Sequence, residues 1–238
     1  QKRTHKLNGI SNIEIYNYTY DHAERLTKLT HKFNNFNEVT IKELVYDDLG
    51  RVKTKKIHGG IEYITYMYNI RNSLTTIGSP RFSQNIYYNT GLGSLAYNGN
   101  ISSMSWRSGG ETTLRGYKFS YDGLNRLIKA DYAEDGSFST NLGRYTEQLS
   151  YDKHGNVLTL KRFGKQSSGY GLIDDLSLSY SGNQIKTVSD SATDPIYQGA
   201  FNFVNGANTS KEYFYDNSGN MTIDYNNKIA KNQCNTLN

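Results

Sequence analysis

The sequence predicts an all-β protein in which repeated antiparallel β-hairpins follow one another along the chain and form a spiralling sheet. A pattern of tyrosine, aspartate, two variable residues, glycine, a polar residue and an aliphatic residue recurs along the chain. The flanks of this pattern alternate between apolar and polar residues, and glycine (22 residues) far outnumbers proline (2 residues). A repeated two-stranded unit with turn residues at fixed offsets is typical of a solenoid-like array rather than a closed two-sheet sandwich.

The aspartate and the glycine of the pattern predict the turn of each hairpin. Aspartate suits the first position of a type I turn because its carboxylate can accept a hydrogen bond from a backbone N–H two residues further on. Glycine suits the fourth position because a left-handed backbone carries little steric cost without a Cβ atom. We therefore expect each recurrent aspartate to hold its own turn and not to form part of a catalytic carboxylate pair.

Six copies of the pattern place an aliphatic residue six positions after the tyrosine. The complete copies begin at Tyr46, Tyr151 and Tyr215, and the partial copies begin at Tyr20, Tyr68 and Tyr121. In the partial copies Glu24, Asn72 and Asn125 occupy the glycine position. Asparagine tolerates a left-handed backbone well, whereas Glu24 fits poorly and predicts a degenerate or differently shaped turn.

Two shorter turns extend the series. Tyr180–Asn183 contains Ser-Gly and Tyr97–Asn100 contains Asn-Gly, which are residues of two-residue hairpin loops. A second alignment of the latter places Leu95 in the tyrosine position and Ile101 in the aliphatic position. The residues to which we assign a structural role in the turns are Tyr20, Asp21, Tyr46, Asp47, Gly50, Arg51, Tyr121, Asp122, Asn125, Arg126, Tyr151, Asp152, Gly155, Tyr180, Gly182, Tyr215, Asp216 and Gly219.

The flanks of the turns have the period of two that a pleated strand requires. Before the first turn, Tyr16, Tyr18 and Tyr20 alternate with Asn17 and Thr19. After the turns, segments 52–57, 127–132 and 157–163 are rich in β-branched and aromatic residues. We expect one apolar and one polar face on each strand, a high strand content and very little helix.

The repeats assign residues 14–238 to one continuous array of hairpins and residues 1–13 to the N-terminal flank of a longer chain. No change in composition marks a linker within the 238 residues. Segment 234–238 resembles the opening of another copy with Cys234 in the tyrosine position, so we expect the array to be cut within its last copy. Because Cys234 is the single cysteine of the sequence, an internal disulfide is excluded.

The charge and the hydropathy of the chain restrict its partners. The net charge is +5 and the mean hydropathy is -0.71. No apolar run reaches the roughly 18 residues that a membrane-spanning helix needs, so we expect no membrane span. Arg51, Lys53 and Lys55 are predicted to share one strand face, which we interpret as a solvated face that discourages edge-to-edge pairing. The alternative is contact with anionic glycans, lipid headgroups or nucleic acid, and no nucleic-acid-binding motif supports the last of these.

Motifs for catalysis and for metal or cofactor binding do not occur in the sequence. The five histidines are scattered without ligand spacing. Segment 131–142 fails the calcium-loop pattern at Ala133 and Leu142, and Asp135-Gly136 is better interpreted as a hairpin turn. Gly91–Ala96 is a loose glycine fingerprint that no predicted helix follows. We therefore expect no enzyme activity, no cofactor and no metal site.

The pattern Tyr-Asp-x-x-Gly-Arg/Asn-aliphatic resembles the YD repeat of the Rhs family, which includes bacterial Rhs and cell wall-associated proteins, insecticidal toxin-complex subunits and teneurins. The resemblance covers about residues 14–238, and the sequences of the repeats are most similar to those of Bacteroidetes-type members. It implies a β-sheet strip that spirals into a hollow shell, part of a secreted or bacterial cell-surface protein. Such a shell encloses or presents a C-terminal toxin domain, and in other members the array serves in adhesion or carbohydrate binding.

The resemblance also implies partners. These are the remainder of the same longer chain, with further repeats, a core domain and a toxin, and alternatively a cell-wall or cell-surface glycan. The family's Asp-Pro-x-Gly-Arg signature for self-cleavage does not occur, because Asp194-Pro195 continues with Ile196-Tyr197. No catalytic residue is therefore assigned, and the segment is expected to be structural.

Overall fold

The computed structural model describes residues 2–7, 10–192 and 202–232, which form an all-β protein. The strands are β1 (Lys2–Leu7), β2 (Ile10–Tyr20), β3 (Leu26–Phe33), β4 (Val39–Tyr46), β5 (Val52–Ile57), β6 (Glu62–Tyr68), β7 (Leu74–Gly78), β8 (Phe82–Tyr87), β9 (Ser103–Ser108), β10 (Arg115–Tyr121), β11 (Leu127–Glu134), β12 (Glu147–Tyr151), β13 (Val157–Lys165), β14 (Tyr170–Ser181), β15 (Gln184–Asp190), β16 (Tyr213–Tyr215) and β17 (Met221–Asp224). The one helical element in the described residues is a short 3-10 turn, His58–Gly60. The predicted fold class and the low helix content are confirmed.

The chain divides into two compact units. The first unit consists of residues 1–87 and 104–114, and the second of residues 88–103 and 115–238. In the first unit each strand from β1 to β8 is paired with the next strand in the chain, and the registers are antiparallel. The described part of the predicted N-terminal flank thus supplies a strand, because Lys2 pairs with Ile15 and Leu7 with Ile10.

The second unit repeats this order. Strands β10 to β15 follow one another in space as they do in sequence, and β16 and β17 form a separate two-stranded hairpin. Antiparallel neighbours can be joined by tight turns, so a chain of local hairpins needs no long crossover connection. Cys234 and Asp194-Pro195, about which the sequence analysis made predictions, lie outside the described residues.

A β-bulge follows the turn in each hairpin whose first strand ends at or next to a tyrosine of the repeat. Tyr46 pairs with Val52, but Val45 pairs with Thr54, so Lys53 is an extra residue without a partner of its own. The same register shift lies next to Tyr20, Tyr68, Tyr121, Tyr151, Tyr180 and Tyr215. A bulge bends its strand and increases the local right-handed twist. Each hairpin is therefore twisted at the same place, directly after its turn.

The buried core lies in the second unit. Leu176, Val188 and Tyr213 are buried together, and apolar side chains that include Leu160 and Phe203 pack against them. In the first unit, by contrast, none of residues 11–87 is buried. The described residues contain no helix that is long and apolar enough to cross a membrane.

Two buried carboxylates hold the segment before β16 against the sheet of the second unit. Asp174 is fully buried, forms an ion pair with Arg162 and accepts a hydrogen bond from the N–H of Phe203 at 2.9 Å. Glu212 is 3% exposed and accepts bonds from the N–H of Val188 and from Asn226 Nδ2, both at 2.9 Å. A buried charge needs compensating partners. Asp174 has its ion pair with Arg162 and the bond from Phe203, and Glu212 has its two hydrogen bonds.

Candidate functional site

The turn residues identified in the sequence form the most regular polar arrangement of the molecule, which we call the turn ladder. It consists of the tyrosine–aspartate turns and of the contacts between consecutive turns. In the turn after β4, the N–H of Gly50 donates to the carbonyl of Asp47 at 2.9 Å, and the N–H of Asp47 donates to the carbonyl of Arg51 at 2.8 Å. The turns at Asp21, Asn69, Asp122, Asp152 and Asp216 have the same pair of backbone bonds.

The residue in the glycine position is left-handed in each of these turns. Its φ is 79° at Gly50, 92° at Gly155 and 85° at Gly219, and 63° at Asn125. Glu24 adopts the same conformation, with a φ of 60°. The prediction of a differently shaped turn at Glu24 is therefore wrong, because the hydrogen bonds of this turn outweigh the side-chain preference of one residue.

The aspartate carboxylate organises each turn. The Oδ1 atom of Asp122 accepts hydrogen bonds from the N–H groups of Leu124 and Arg126, both at 2.9 Å, and its Oδ2 atom accepts one from Arg126 Nε at 2.6 Å. The bond from the backbone N–H of Arg126 is the largest cause that lowers the pKa of Asp122. Asp21, Asp47, Asp152 and Asp216 accept equivalent bonds, and the pKa of each is also lowered.

Two further turns use the same arrangement without the full sequence pattern. Asn69 Oδ1 accepts bonds from the N–H groups of Arg71 and Ser73 at 2.9 and 3.0 Å, so an amide oxygen can replace the carboxylate. Asp135 accepts bonds from the N–H groups of Ser137 and Ser139 at 2.8 and 3.1 Å. The dipeptide Asp135-Gly136 was the one sequence signal for this second turn, since no tyrosine precedes it.

Six tyrosines of the repeat, from Tyr46 to Tyr215, connect their turns to the preceding copy. The hydroxyl of Tyr151 donates to the carbonyl of Leu127 at 2.7 Å, and Leu127 is the aliphatic residue of the preceding copy. Tyr46, Tyr68, Tyr180 and Tyr215 make the same bond to Leu26, Val52, Val157 and Ile185, at 2.9, 3.0, 2.8 and 3.2 Å. The sequence pattern showed the constant spacing between the tyrosine and the aliphatic residue within a copy, but it did not predict this hydrogen bond between copies.

The corresponding bond of Tyr121 decides between the two alignments of the loop before β9. Its hydroxyl donates to the carbonyl of Ile101 at 2.8 Å. Ile101 is the aliphatic residue only in the alignment that places Leu95 in the tyrosine position. Asn98-Gly99 is not the two-residue loop of a tight hairpin, since the connection that contains it is long: β8 ends at Tyr87 and β9 begins at Ser103. The hairpin predicted there is therefore wrong, and the segment is an irregular loop.

In three of the turns, an arginine connects the turn to the following hairpin. The guanidinium of Arg51 bonds to Asp47 in its own turn at 2.7 Å and lies 4.7 Å from the ring centroid of Tyr68 in the next hairpin. Arg25 lies in the same way over Tyr46 at 4.6 Å, and Arg126 over Tyr151 at 4.8 Å. Such cation–π contacts contribute about 0.5–1 kcal/mol at exposed sites.

The structure gives different surroundings to Arg51, Lys53 and Lys55, which were predicted to share one strand face, with contact to an anion as the alternative interpretation. Arg51 belongs to the turn ladder, where it also donates to Asn72 Oδ1 at 2.9 Å. Lys53 is the exposed extra residue of the bulge, and Lys55 is half-buried between its strand partners Leu44 and Ile64. The bulge interrupts the alternation from which a common face was predicted.

Other parts of the described chain offer little for chemistry. No group of three or more His, Cys, Asp or Glu side chains in it could hold a metal ion. A cavity of about 370 Å³ in the second unit is lined by residues that include Lys129, Asp131 and Arg144. Lys129 and Asp131 form an ion pair at 2.9 Å, and the lining contains no serine, cysteine or histidine.

Comparisons with known proteins support the fold. No protein-family model and no curated protein matches the chain. A chain of the TcdB2-TccC3-Cdc42 crystal structure matches it with a TM-score of 0.57 and 16% sequence identity over 89% of its length. A chain in a structure of the Photorhabdus luminescens Tc holotoxin pore, which carries a mutation in TccC3, matches with a TM-score of 0.54 and 17% identity, also over 89%.

The chain has the fold of part of a Tc toxin component. It spans 11% of the length of each matched toxin chain. The likeness at this identity concerns the fold alone, and the turn ladder is a property of this chain's own residues.

Proposed function

We propose that this chain is a non-catalytic structural segment of an Rhs-type secreted or surface protein. In this proposal residues 14–238 belong to a YD-repeat array that forms part of a β-shell. The shell encloses or presents a C-terminal toxin domain that lies outside this chain, and its partners are further repeats and the core domain of the same polypeptide.

The hydrogen bond from six of the repeat tyrosines to the preceding copy carries this proposal. Tyr68 and Tyr151 illustrate it, since each hydroxyl bonds to the aliphatic residue of the preceding copy. A tyrosine that makes the same bond in six copies has a structural role in each of them. The arrangement is suited to extend a wall by addition of hairpins, as a repeat protein does. The shared fold with Tc toxin chains supports the same conclusion.

Limited proteolysis of the full-length protein tests the proposal. We expect the domain that follows the repeats to resist protease in the intact protein. The same domain expressed alone serves as the control, and we expect it to be digested. Equal rates of digestion in the two forms would contradict an enclosing shell.

A second candidate function is carbohydrate binding at the cell surface or cell wall. It is favoured by exposed tyrosines in the first unit, where Tyr18 and Tyr63 are 42% and 41% exposed, together with the exposed Lys53. Exposed aromatic rings can stack on sugars, and lysine can meet acidic groups. A glycan array at low ionic strength, with Lys53→Gln and Tyr63→Ala variants as controls, tests it. Binding that is absent, or that both variants retain, excludes this surface.

A further inference from the structure

Four tyrosines of the second unit form a continuous series of edge-to-face contacts outside the turn ladder. The ring centroids of Tyr117 and Tyr132 lie 5.5 Å apart, those of Tyr132 and Tyr145 5.0 Å, and those of Tyr145 and Tyr170 5.4 Å. These separations are typical of favourable aromatic pairs. The proposed function makes no use of them.

The outer pair of the series is accessible from solvent. Tyr145 is 36% exposed and Tyr170 is 40% exposed. Their hydroxyl oxygens lie 3.5 Å apart, which brings the ring edges that carry the hydroxyl groups towards each other. The guanidinium of Arg144 lies 4.4 Å from the centroid of the Tyr170 ring and holds that ring from one face.

The inner pair of the series is held differently. Tyr132 is 2% exposed and its hydroxyl donates to Glu134 Oε1 at 2.9 Å. The hydroxyl of Tyr117 donates to the backbone carbonyl of Tyr145 at 3.0 Å. Burial raises the pKa of Tyr117 to about 12 and also raises that of Tyr132. The inner hydroxyls are therefore occupied, and the outer pair is the one that an oxidant in solution reaches.

We propose that Tyr145 and Tyr170 are a site of oxidative modification, at which the two rings are joined as dityrosine. The oxidant is a peroxide that acts through a haem peroxidase. Each phenol gives up one electron and one proton, and hydrogen peroxide takes up both electrons and both protons to give two molecules of water. The two phenoxyl radicals form a carbon–carbon bond between the ring positions next to the hydroxyl groups. Transfer of each displaced ring hydrogen to the phenol oxygen then restores the aromatic rings.

The cross-link would connect the residues before β12 to the start of β14, and so bridge two hairpins. The cross-link would lower the conformational entropy of the unfolded chain, as a disulfide does, and would thereby stabilise the folded state. The chain has one cysteine and cannot form an internal disulfide, so a tyrosine cross-link is a covalent means of reinforcement that it does possess.

Treatment of the purified protein with a haem peroxidase and hydrogen peroxide at low protein concentration tests this inference. We expect dityrosine fluorescence in the monomer, and a cross-linked peptide by mass spectrometry that joins Tyr145 to Tyr170. Tyr145→Phe and Tyr170→Phe should each lose this peptide. Tyr63→Phe should retain it, although Tyr63 is 41% exposed and so matches the outer pair in accessibility. Oxidation should raise the urea midpoint of the unsubstituted protein and leave that of Tyr145→Phe unchanged.

Three outcomes would overturn the inference. One is a monomer cross-link that joins other tyrosines, and another is a signal that persists in both Tyr145→Phe and Tyr170→Phe. The third is an unmodified monomer under conditions in which free tyrosine is coupled. Circular dichroism of each variant shows whether it is folded, and two independent substitutions keep the result decisive if one of them fails to fold.

Discussion

At the scale of the residue, the aspartate carboxylate determines the local shape of each turn. Asp122 accepts hydrogen bonds from two backbone N–H groups and from one arginine side chain. One side chain therefore fixes the backbone path of residues 123–126, which follow it. The carboxylate acts on residues that follow it directly in sequence. That is why Asp21, Asp47 and Asp216 could be assigned to turns from the sequence alone.

The lowered pKa values of these aspartates predict a loss of stability in acid. A carboxyl group whose pKa is lower in the folded state contributes stability fully above its unfolded value, which is 3.8 for Asp122. That contribution is lost as pH falls through the folded pKa, since the unfolded state then binds more protons. We expect the urea midpoint to be nearly constant above about pH 5 and to fall below about pH 4.

The variant Asp122→Asn should show a smaller decrease of the urea midpoint in acid than the unsubstituted protein. Asn69 shows that an amide oxygen can accept the two backbone bonds, so the turn should persist without the charge. Asp48→Asn, at an exposed turn position, serves as the control and should keep the full decrease. Identical pH profiles for the two variants would contradict the role of the carboxylate.

The tyrosine hydroxyl of the ladder should contribute measurably to stability. Tyr121→Phe removes the bond to the carbonyl of Ile101 and should lower the free energy of unfolding by about 1 kcal/mol. Urea denaturation measures this change. Tyr63→Phe removes an exposed hydroxyl and should have almost no effect. An equal loss of unfolding free energy in both variants would contradict a specific contribution of the Tyr121 hydrogen bond.

At the scale of the element, each hairpin combines a left-handed turn residue with a bulge whose position the sequence did not reveal. The turn position was predictable because glycine and asparagine are the residues that tolerate that backbone. The bulge at Lys53 was not, because the extra residue of a bulge has no side-chain signature in this series. Its positions are held by lysine, threonine, leucine and isoleucine.

Substitution of Gly155 tests the backbone requirement of the hairpin. Gly155 has a φ of 92°, and a Cβ atom there would meet no other atom within 4 Å. Gly155→Ala should cost about 1–2 kcal/mol from the left-handed backbone alone. Gly155→Asn should cost less, since Asn125 and Asn72 occupy the same position in other turns. Thermal or urea denaturation compares them, and an asparagine variant that is less stable than the alanine variant would contradict the argument.

At the scale of the whole molecule, the described core is concentrated in the second unit. Leu176 is 8% exposed and belongs to the buried cluster with Val188 and Tyr213. Leu176→Ala should cost about 2–3 kcal/mol. Leu124→Ala, at a position that is 68% exposed, should change the free energy of unfolding by less than about 0.5 kcal/mol. Similar losses at both positions would mean that the cluster does not form the core.

The burial of the carboxylates Asp174 and Glu212 could not be predicted from the sequence. Neither belongs to the repeat pattern, and each is stabilised by groups far away in the chain, such as Phe203 and Asn226. No local pattern identifies an acidic residue that will be buried. The same limit applies to Tyr145 and Tyr170, whose proximity depends on the pairing of β12, β13 and β14.

The sequence by itself determined the all-β fold class, the order of the hairpins and the positions of most of their turns. These features depend on contacts between residues a few positions apart, so a short pattern is enough to specify them. The tertiary structure alone decided the acceptors of the six tyrosine hydroxyls, the positions of the bulges, the separation of Arg51 from Lys53 and Lys55, and the place of the core. Those features depend on which strand lies beside which and in what register, and the pairing of distant residues leaves no mark in a local pattern.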